Sequence, residues 1–340
     1  MTSHAAVLCG VGGHLPPDVV TNDALPAALG VSDAWVRTRT GITRRHAAAP
    51  GTTTSDLAAV ALRRALESAG DDRVDALIVA TTTPDRRMPG TAPVVAAKLG
   101  LPHIPAHDVS AVCTGFVYAL GSAVAAVVAG HARRVAVVGA ETLTTVVDPG
   151  DRNTTVLFGD GAGAVVVRAG DPEEPGAVKE LELGSDGTLH DLVTIRTGGS
   201  ERPLAAGPGD PDAFVRMDGS RVFTQAVRRM VEASERVLAR TGWSAHDVDR
   251  LVPHQANVRI MNAVAERLGI PAERTVVHVD RAANTSAASI PLALADGLHR
   301  GALEAGQRLL VPAFGGGLTW GAVTLTCPDV TAAAPAAVRH

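Results

Sequence analysis

Three side chains in this 340-residue sequence have the types and settings from which covalent chemistry can be built. They are Cys113 in DVSAVCTGFVYALGSAVAAVVAGH, His254 in LVPHQAN and Asn284 in AANTSAAS. Cys113 stands where a short strand should turn into a helix. The unpaired N–H groups and partial positive charge of a helix N-terminus favour a thiolate over a thiol. A lone cysteine in an apolar run is ordinarily an inert core residue, so its chemistry depends on company. His254 follows an apolar strand, and Pro253 blocks helix continuation, which sets the ring at a strand end facing a cleft. Asn284 lies among small residues that let chain segments approach, although an Asn in a loop is more often a turn or cap former. Brought together, the three would form an acyl-accepting centre: the sulfur takes an acyl group as a thioester while the two nitrogen donors polarise a second carbonyl. Gly315, Gly316 and Gly317 after Phe314 permit a tight turn, and one N–H there can help bind an oxyanion. Cysteine proteases also use Cys, His and Asn, so the architecture has to discriminate.

That architecture is an alternation of apolar strand-like runs with amphipathic helical ones, the pattern of an α/β protein with mostly parallel strands. Strands are expected at Ala5–Val11, Asp75–Thr82, Arg134–Ala140 and Phe158–Arg168, and a helix over Thr54–Ala69. The helix after Cys113 has almost no polar face and should lie inside protein on every side. Motifs of the first part return in the second. VDALIVATTTP at 74 is answered by VDRLVPHQANV at 248, DVSAVCTG at 108 by DRAANTSAAS at 280, RRVAVVGAE at 133 by QRLLVPAFGG at 307, and FGDGAGAVVV at 158 by FGGGLTWGAVTL at 314. Four echoes in one order indicate duplicated halves. They would span residues 1–170, carrying the cysteine, and 171–330, carrying His254 and Asn284, with AGDPEEPG between them. If the halves pack about a pseudo-twofold axis, equivalent strand ends bring the three residues close, an arrangement a cysteine protease lacks. Residues 198–211 read as a long surface loop, and 331–340 as a flexible, Ala/Pro-rich tail. Phe158 and Phe314 read as structural.

Composition narrows the classes. A hydrophobic fraction of 46% with 19% charged residues is that of a soluble globular protein. The formal net charge is −4, with no long Lys/Arg run, so neither nucleic acid nor a membrane surface is an expected partner. Cys9, Cys113 and Cys327 form an odd, widely spaced set, which argues against a disulfide framework or zinc site and for a reducing compartment. The N-terminus lacks a signal-peptide pattern. The uncharged run from Val109 to Gly130 is long enough to span a bilayer but contains Ser110, Thr114 and Ser122 and lacks aromatic flanks. Neither GDGAG at 159 nor GGG at 315 fits a nucleotide-binding fingerprint, which excludes the usual NTPase and dehydrogenase readings.

SDAWVRTRTGI at 32, AVCTGF, DPGDRNT at 148, FGDGAGA, VPHQANVRI, NTSAAS and FGGGLTWG, in this order over residues 4–326, resemble the β-ketoacyl-acyl carrier protein synthase III family. The resemblance implies an α/β, thiolase-like duplicated αβαβα layered fold with two pseudo-twofold-related halves. It implies Cys113 as the acylated nucleophile, His254 and Asn284 as the donors that hold a malonyl thioester, and the N–H groups of Cys113 and Gly316 as an oxyanion hole. Acyl-coenzyme A would be a substrate, with no permanently bound cofactor and no metal, and malonyl-acyl carrier protein the second substrate. Trp35 and Arg152 match residues that sandwich adenine, Arg39 one near the nucleotide phosphates, and Asn257 one lining the tunnel. Without the resemblance, Trp35 also reads as core in a capped helix start.

The resemblance further implies a cytoplasmic homodimer. Relatives commonly contribute an aromatic to the acyl pocket across the dimer where this chain has Met88, which leaves different room for a branched or longer primer. Arg259 matches a carrier-docking residue, but Thr224, Glu266 and Arg267 depart from a lysine-rich docking helix, and Glu266 would oppose an acidic carrier. Ala283 replaces a glycine before the asparagine. The departures fit an enzyme that starts a secondary-metabolite chain. Two other readings remain: an acyltransferase on this fold that passes the acyl group to an alcohol or amine, and a non-catalytic acyl-binding partner subunit. The retained Asn284 opposes the first, and the intact Cys, His and Asn set opposes the second.

Overall fold

Among the described residues, nine strands gather into two main sheets of matching order, beside two-stranded ribbons at 18–21 with 44–47 and 193–194 with 216–217. The computed structural model describes residues 5–101, 103–203 and 210–336. The first sheet is built from β1 (Ala5–His14), β2 (Ala76–Ala80), β3 (Ala106–Val109), β4 (Arg134–Glu141) and β5 (Gly161–Gly170), in the order β1-β5-β4-β2-β3. The second is built from β6 (Val178–Ser185), β7 (Arg250–Leu251), β8 (Arg308–Gly315) and β9 (Thr319–Thr326), in the order β6-β9-β8-β7. Thr275 adds a parallel bridge to Leu251 on the outer side of β7, the place β3 occupies beside β2. The senses also agree: β2 lies parallel to β4 and β3, β7 parallel to β8, and the hairpin partners β4/β5 and β8/β9 antiparallel. Three of the echoes, at 248, 307 and 314, thus fall on strands equivalent to β2, β4 and β5, while the fourth, at 280, follows the Thr275 bridge as the cysteine turn follows β3.

Helices make the other layers. α1 (Asp33–Thr40) stands apart near the mouth of the site, while α2 (Thr54–Ser68) and α3 (Ala92–Lys98) cover the outer face of the first sheet through Leu57, Leu62, Val95 and Val166. α5 (Gly219–Thr241) and α6 (Val258–Leu268) cover the second through Met230, Val237, Val264 and Leu310. Between the sheets lie α4 (Gly115–Val128) and α7 (Ser289–His299), packed on Val137, Val165, Val311 and Val323 from both sides. Strands that bury both faces read as near-continuous Val/Ala/Leu runs. The result is an αβαβα stack whose central helices each begin at a turn bearing candidate chemistry.

Glycine lets those turns meet. A Cβ on Gly139 of β4 would lie 2.2 Å from Ala287 O, so the 284–288 turn rests directly on the end of the first sheet. A Cβ on Gly315 would lie 2.8 Å from Cys113 N, which places the end of β8 against the cysteine turn.

Several expectations are corrected. β5 starts at Gly161 rather than Phe158, because Gly159 N donates to Asn284 O and Asp160 N to His46 O instead of joining a ladder. α4 is not enclosed on every side: Ser122, Ala125 and Val128 form an uncharged exposed edge, with Val128 57% exposed. The tail is docked over its described part. Leu15 N donates to Pro335 O, and Arg64 donates to the carbonyls of Ala334 and Pro335; residues 337–340 lie outside the described residues. Of the expected surface loop, 204–209 lie outside them too, while Arg202 on its near flank pairs with Asp210 and Asp212.

Candidate active site

Cys113 lies in a single 3-10 turn, Val112–Thr114, between β3 and α4. Val112 is held at φ +48, a left-handed conformation costly for a β-branched residue. Thr319 Oγ1 donates to Ala111 O, and Thr114 Oγ1 donates to Thr319 O, so β9 clamps the turn from the second sheet. His254 follows β7 and Pro253, as the sequence requires, and its N–H donates to Pro312 O. Asn284 is fixed by backbone: its N–H donates to Leu157 O, and its Oδ1 accepts from Ser286 N at 2.8 Å. With Oδ1 committed, the Nδ2 amide is the group left to donate.

Cys113, His254, Asn284 and Gly316 line one cavity of about 480 Å³, with Phe158 and Phe314 in its wall. It is not sealed. A second recess, beside Trp35, shares Arg39, Leu157, Met217 and Gly219 with it, so the two run into one another and connect the sulfur to the surface.

His254 is buried, and burial pushes its imidazole down to about 3, so the neutral ring persists at physiological pH. Its Nδ1 lies 2.7 Å from Ser289 Oγ, the first residue of α7, which itself accepts from Gln255 N. A serine that accepts there can give its proton to Nδ1, and in that tautomer Nε2–H is a neutral donor for a carbonyl. The expected thiolate at Cys113 meets an opposing effect. Burial pushes the thiol up to about 12, the Glu141 charge adds to this, and the Ser286 hydroxyl works the other way. Desolvation thus opposes the pull of the helix terminus on the thiol proton.

The outer residues divide. Arg39 stacks on Trp35 at 4.2 Å from the ring centroid, and Arg152 approaches the same ring at 5.7 Å. Asn257 caps α6 by accepting from Ile260 N and lines the cavity, as does Arg259. Met88 is not brought to the cavity in this chain; it is 85% exposed on the loop before α3. Phe158 and Phe314, read from sequence as structural, line the cavity with the nucleophile. Ser289 was legible only as part of NTSAAS, and Glu141 carried no local signal. Among the described residues no cluster of three His, Cys, Asp or Glu could hold a metal, and no helix is long and apolar enough to cross a membrane.

Comparison with known proteins agrees with this geometry. Family models for 3-oxoacyl-[acyl-carrier-protein] synthase III match residues 107–187, and for its C-terminal region residues 238–327. The β-ketoacyl-[acyl-carrier-protein] synthase III 3 of Streptomyces coelicolor is 54% identical, over 96% of this chain and 99% of that protein. The chain belongs to the β-ketoacyl-[acyl-carrier-protein] synthase III family. A synthase III from Pseudomonas aeruginosa PAO1 superposes with a TM-score of 0.90 at 49% identity, covering 96% of this chain and 99% of that one. The priming β-ketosynthase of the R1128 polyketide pathway superposes at 0.88 with 36% identity, over 96% and 97%. As a synthase III family member, the chain is an acyltransferase of thiolase-like fold.

Proposed function

We propose that the chain condenses an acyl-coenzyme A primer with malonyl-acyl carrier protein to give a β-ketoacyl-carrier protein. The observation that carries this reading is the single cavity, open to the surface, that is lined by Cys113, His254 and Asn284. Cys113 attacks the primer thioester, and the N–H groups of Cys113 and Gly316 hold the oxyanion as coenzyme A leaves. His254 Nε2–H and Asn284 Nδ2–H then hold the malonyl thioester carbonyl, and the enolate forms as carbon dioxide departs. Its carbon attacks acyl-Cys113, and collapse expels the cysteine sulfur. A neutral histidine suits the step, because it donates to the developing charge without having to lose a proton first. Direct transfer to an alcohol would leave the Asn284 amide no second carbonyl to hold.

Trp35, Arg39 and Arg152 supply what an adenine nucleotide needs, a stacking face and cations for phosphate, with Asn257 along the tunnel and Arg259 at the carrier side. Residues 1–170 and 171–330 act as two thiolase-like halves, a division supported by the shared strand order. The enzyme works in the cytoplasm as a homodimer in which Met88 reaches the partner's acyl pocket; its exposure in one chain fits that role.

Intact-protein mass spectrometry with a panel of acyl-coenzyme A primers tests the reading. A single acyl adduct is expected, absent in Cys113→Ala. Full labelling of that variant refutes the assignment.

A further inference from the structure

Pro253 interrupts a ladder beside the site. Leu251 of β7 bridges Thr275 in parallel sense, and Val276 N donates to Leu251 O at 2.8 Å. A parallel ladder would continue with Pro253 N donating to Val276 O and His278 N donating to Pro253 O. Proline has no N–H to give. Two carbonyls and an N–H are thereby left to be paired where one segment turns into His254 and the other runs on to Asn284.

Gln255 fills that gap with its side chain, which is 1% exposed. Its Nε2 donates to Pro253 O at 2.8 Å and to Val276 O at 3.1 Å, and its Oε1 accepts from His278 N at 2.8 Å and from Val279 N at 3.1 Å. Both donors and both acceptor positions of the amide are used. The opposite orientation would set the amide nitrogen against two N–H groups, so the network fixes which atom is which. The side chain thus stands in for the missing peptide rung. It also caps the four-residue helix Val279–Ala282, whose N-cap residue His278 makes no side-chain cap of its own. That helix leads to the asparagine: Ala283 N donates to Val279 O, and Ala283, at φ +60, ψ −167, turns the chain into Asn284.

The backbone N–H groups of the two donors are held by separate supports. His254 N donates to Pro312 O on β8, and Asn284 N donates to Leu157 O. Gln255 bonds both approaches at once, one bond falling on the residue before His254 and two on the helix start that leads to Asn284. It does not line the cavity, although His254, Ala256 and Asn257 do. The cysteine turn is held elsewhere, by Thr319.

We propose that Gln255 is a positioning residue for the decarboxylation step: it sets the spacing of His254 and Asn284 so that Nε2–H and Nδ2–H meet on one thioester carbonyl. The inference rests on the malonyl-holding role given to that pair above, and the test separates the two. Gln255→Glu in the full chain keeps the shape and replaces Nε2 with oxygen. Protonated, the carboxyl still donates one hydrogen bond; ionised, it sets a negative oxygen against Pro253 O and Val276 O. Burial between those carbonyls should lift its titration above the ordinary glutamate value of about 4.3.

Labelled carbon dioxide from malonyl-acyl carrier protein and the acyl adduct from acetyl-coenzyme A, read by intact mass, are followed from about pH 6 to about pH 9. Relative to wild type, carbon dioxide release by Gln255→Glu should fall as pH rises, by roughly 100-fold once the carboxyl is ionised, the order that a misplacement of about 1 Å brings. Adduct formation should stay within about twofold. Wild type carries the neighbouring His254, His278 and Asp296 unchanged, so the ratio of the two profiles reports on position 255 alone. Gln255→Met, uncharged and of similar length, should lose about 100-fold in carbon dioxide release at every pH. A ratio that does not fall with pH, a Gln255→Met variant that decarboxylates like wild type, or equal losses in both steps overturns the proposal. Unfolding of both variants also overturns it, because Gln255 would then serve general stability. Wild type that forms adduct but releases no carbon dioxide overturns the malonyl-holding reading instead.

Discussion

Ser289→Ala should separate the two half-reactions. Ser289 Oγ lies 2.7 Å from His254 Nδ1, and both side chains are buried. Its loss leaves Nδ1 either an orphaned acceptor or the bearer of the ring proton, and in the second case Nε2 presents a lone pair where a donor is needed. An unsatisfied buried group of this kind costs roughly 1–3 kcal/mol. If the enolate step bears that cost, carbon dioxide release from malonyl-acyl carrier protein should fall roughly 5- to 150-fold. Acylation of Cys113 uses neither nitrogen and should stay within about twofold, since the hydroxyl is remote from the attacking sulfur's own bonds. Labelled carbon dioxide measures the first step and intact mass the second. Ser289→Thr, which keeps the hydroxyl, should recover most of the loss. Unchanged decarboxylation in Ser289→Ala, or equal losses in both steps, would refute the Nε2–H tautomer.

Gly139→Ala should be severe for its size: a methyl 2.2 Å from Ala287 O can be housed only by backing the 284–288 turn off the sheet, at about 1–3 kcal/mol. A denaturation midpoint equal to wild type would show that the turn yields freely. Ala283 sits at φ +60, ψ −167, a region nearly reserved for glycine, so Ala283→Gly relieves about 1–3 kcal/mol of strain. It also gives up a buried methyl worth about 0.8 kcal/mol and adds about 0.5–1 kcal/mol of unfolded-state freedom; urea unfolding should therefore shift by between about −1 and +2 kcal/mol, far from the loss a buried large-to-small change brings. Acid stability should fall in two windows. Burial holds His14 near 4 and His254 near 3, so stability is full above the ordinary histidine value of about 6.5 and is lost as pH falls toward those values. For Asp56 burial works upward, but hydrogen bonds from Lys98 and Thr53 hold it near 2, so its share is present above about 4 and lost as pH falls to 2. Urea midpoints across pH 7 to 2 should lose the upper slope in part with His14→Gln and the lower slope with Asp56→Asn.

The layered fold and the central triad were legible because they rest on repeated signals. Strand runs buried on both faces leave unbroken Val/Ala stretches, and His254 and Asn284 sit in segments that echo the first half. What escaped depended on distance in space without a local mark. Glu141 is recognised by Thr81, Thr82 and Thr83, which lie on a different strand end, and nothing in VVGAE announces them. Phe158 and Phe314 looked like core because cavity walls and cores use the same side chains. For Cys113 the helix terminus is visible in sequence, whereas the burial and the neighbouring carboxylate that oppose it are not. Arg39, four residues after Trp35 on α1, lies nearer the ring, at 4.2 Å from its centroid, than Arg152, which the resemblance paired with it, at 5.7 Å. The tail read as frayed because Ala/Pro composition says nothing of the carbonyls that Arg64 and Leu15 N would find there.

The seating of the 284–288 turn on Gly139 means that no contiguous piece of the polypeptide owns the reaction centre. Sulfur and amide are separated by about half of the chain's length and become neighbours only once the two sheets have closed over the central helices. Turnover is consequently a gauge of that closure: a fragment ending before Asn284 should be inert, and catalytic recovery during refolding should lag behind the return of helical signal in either half.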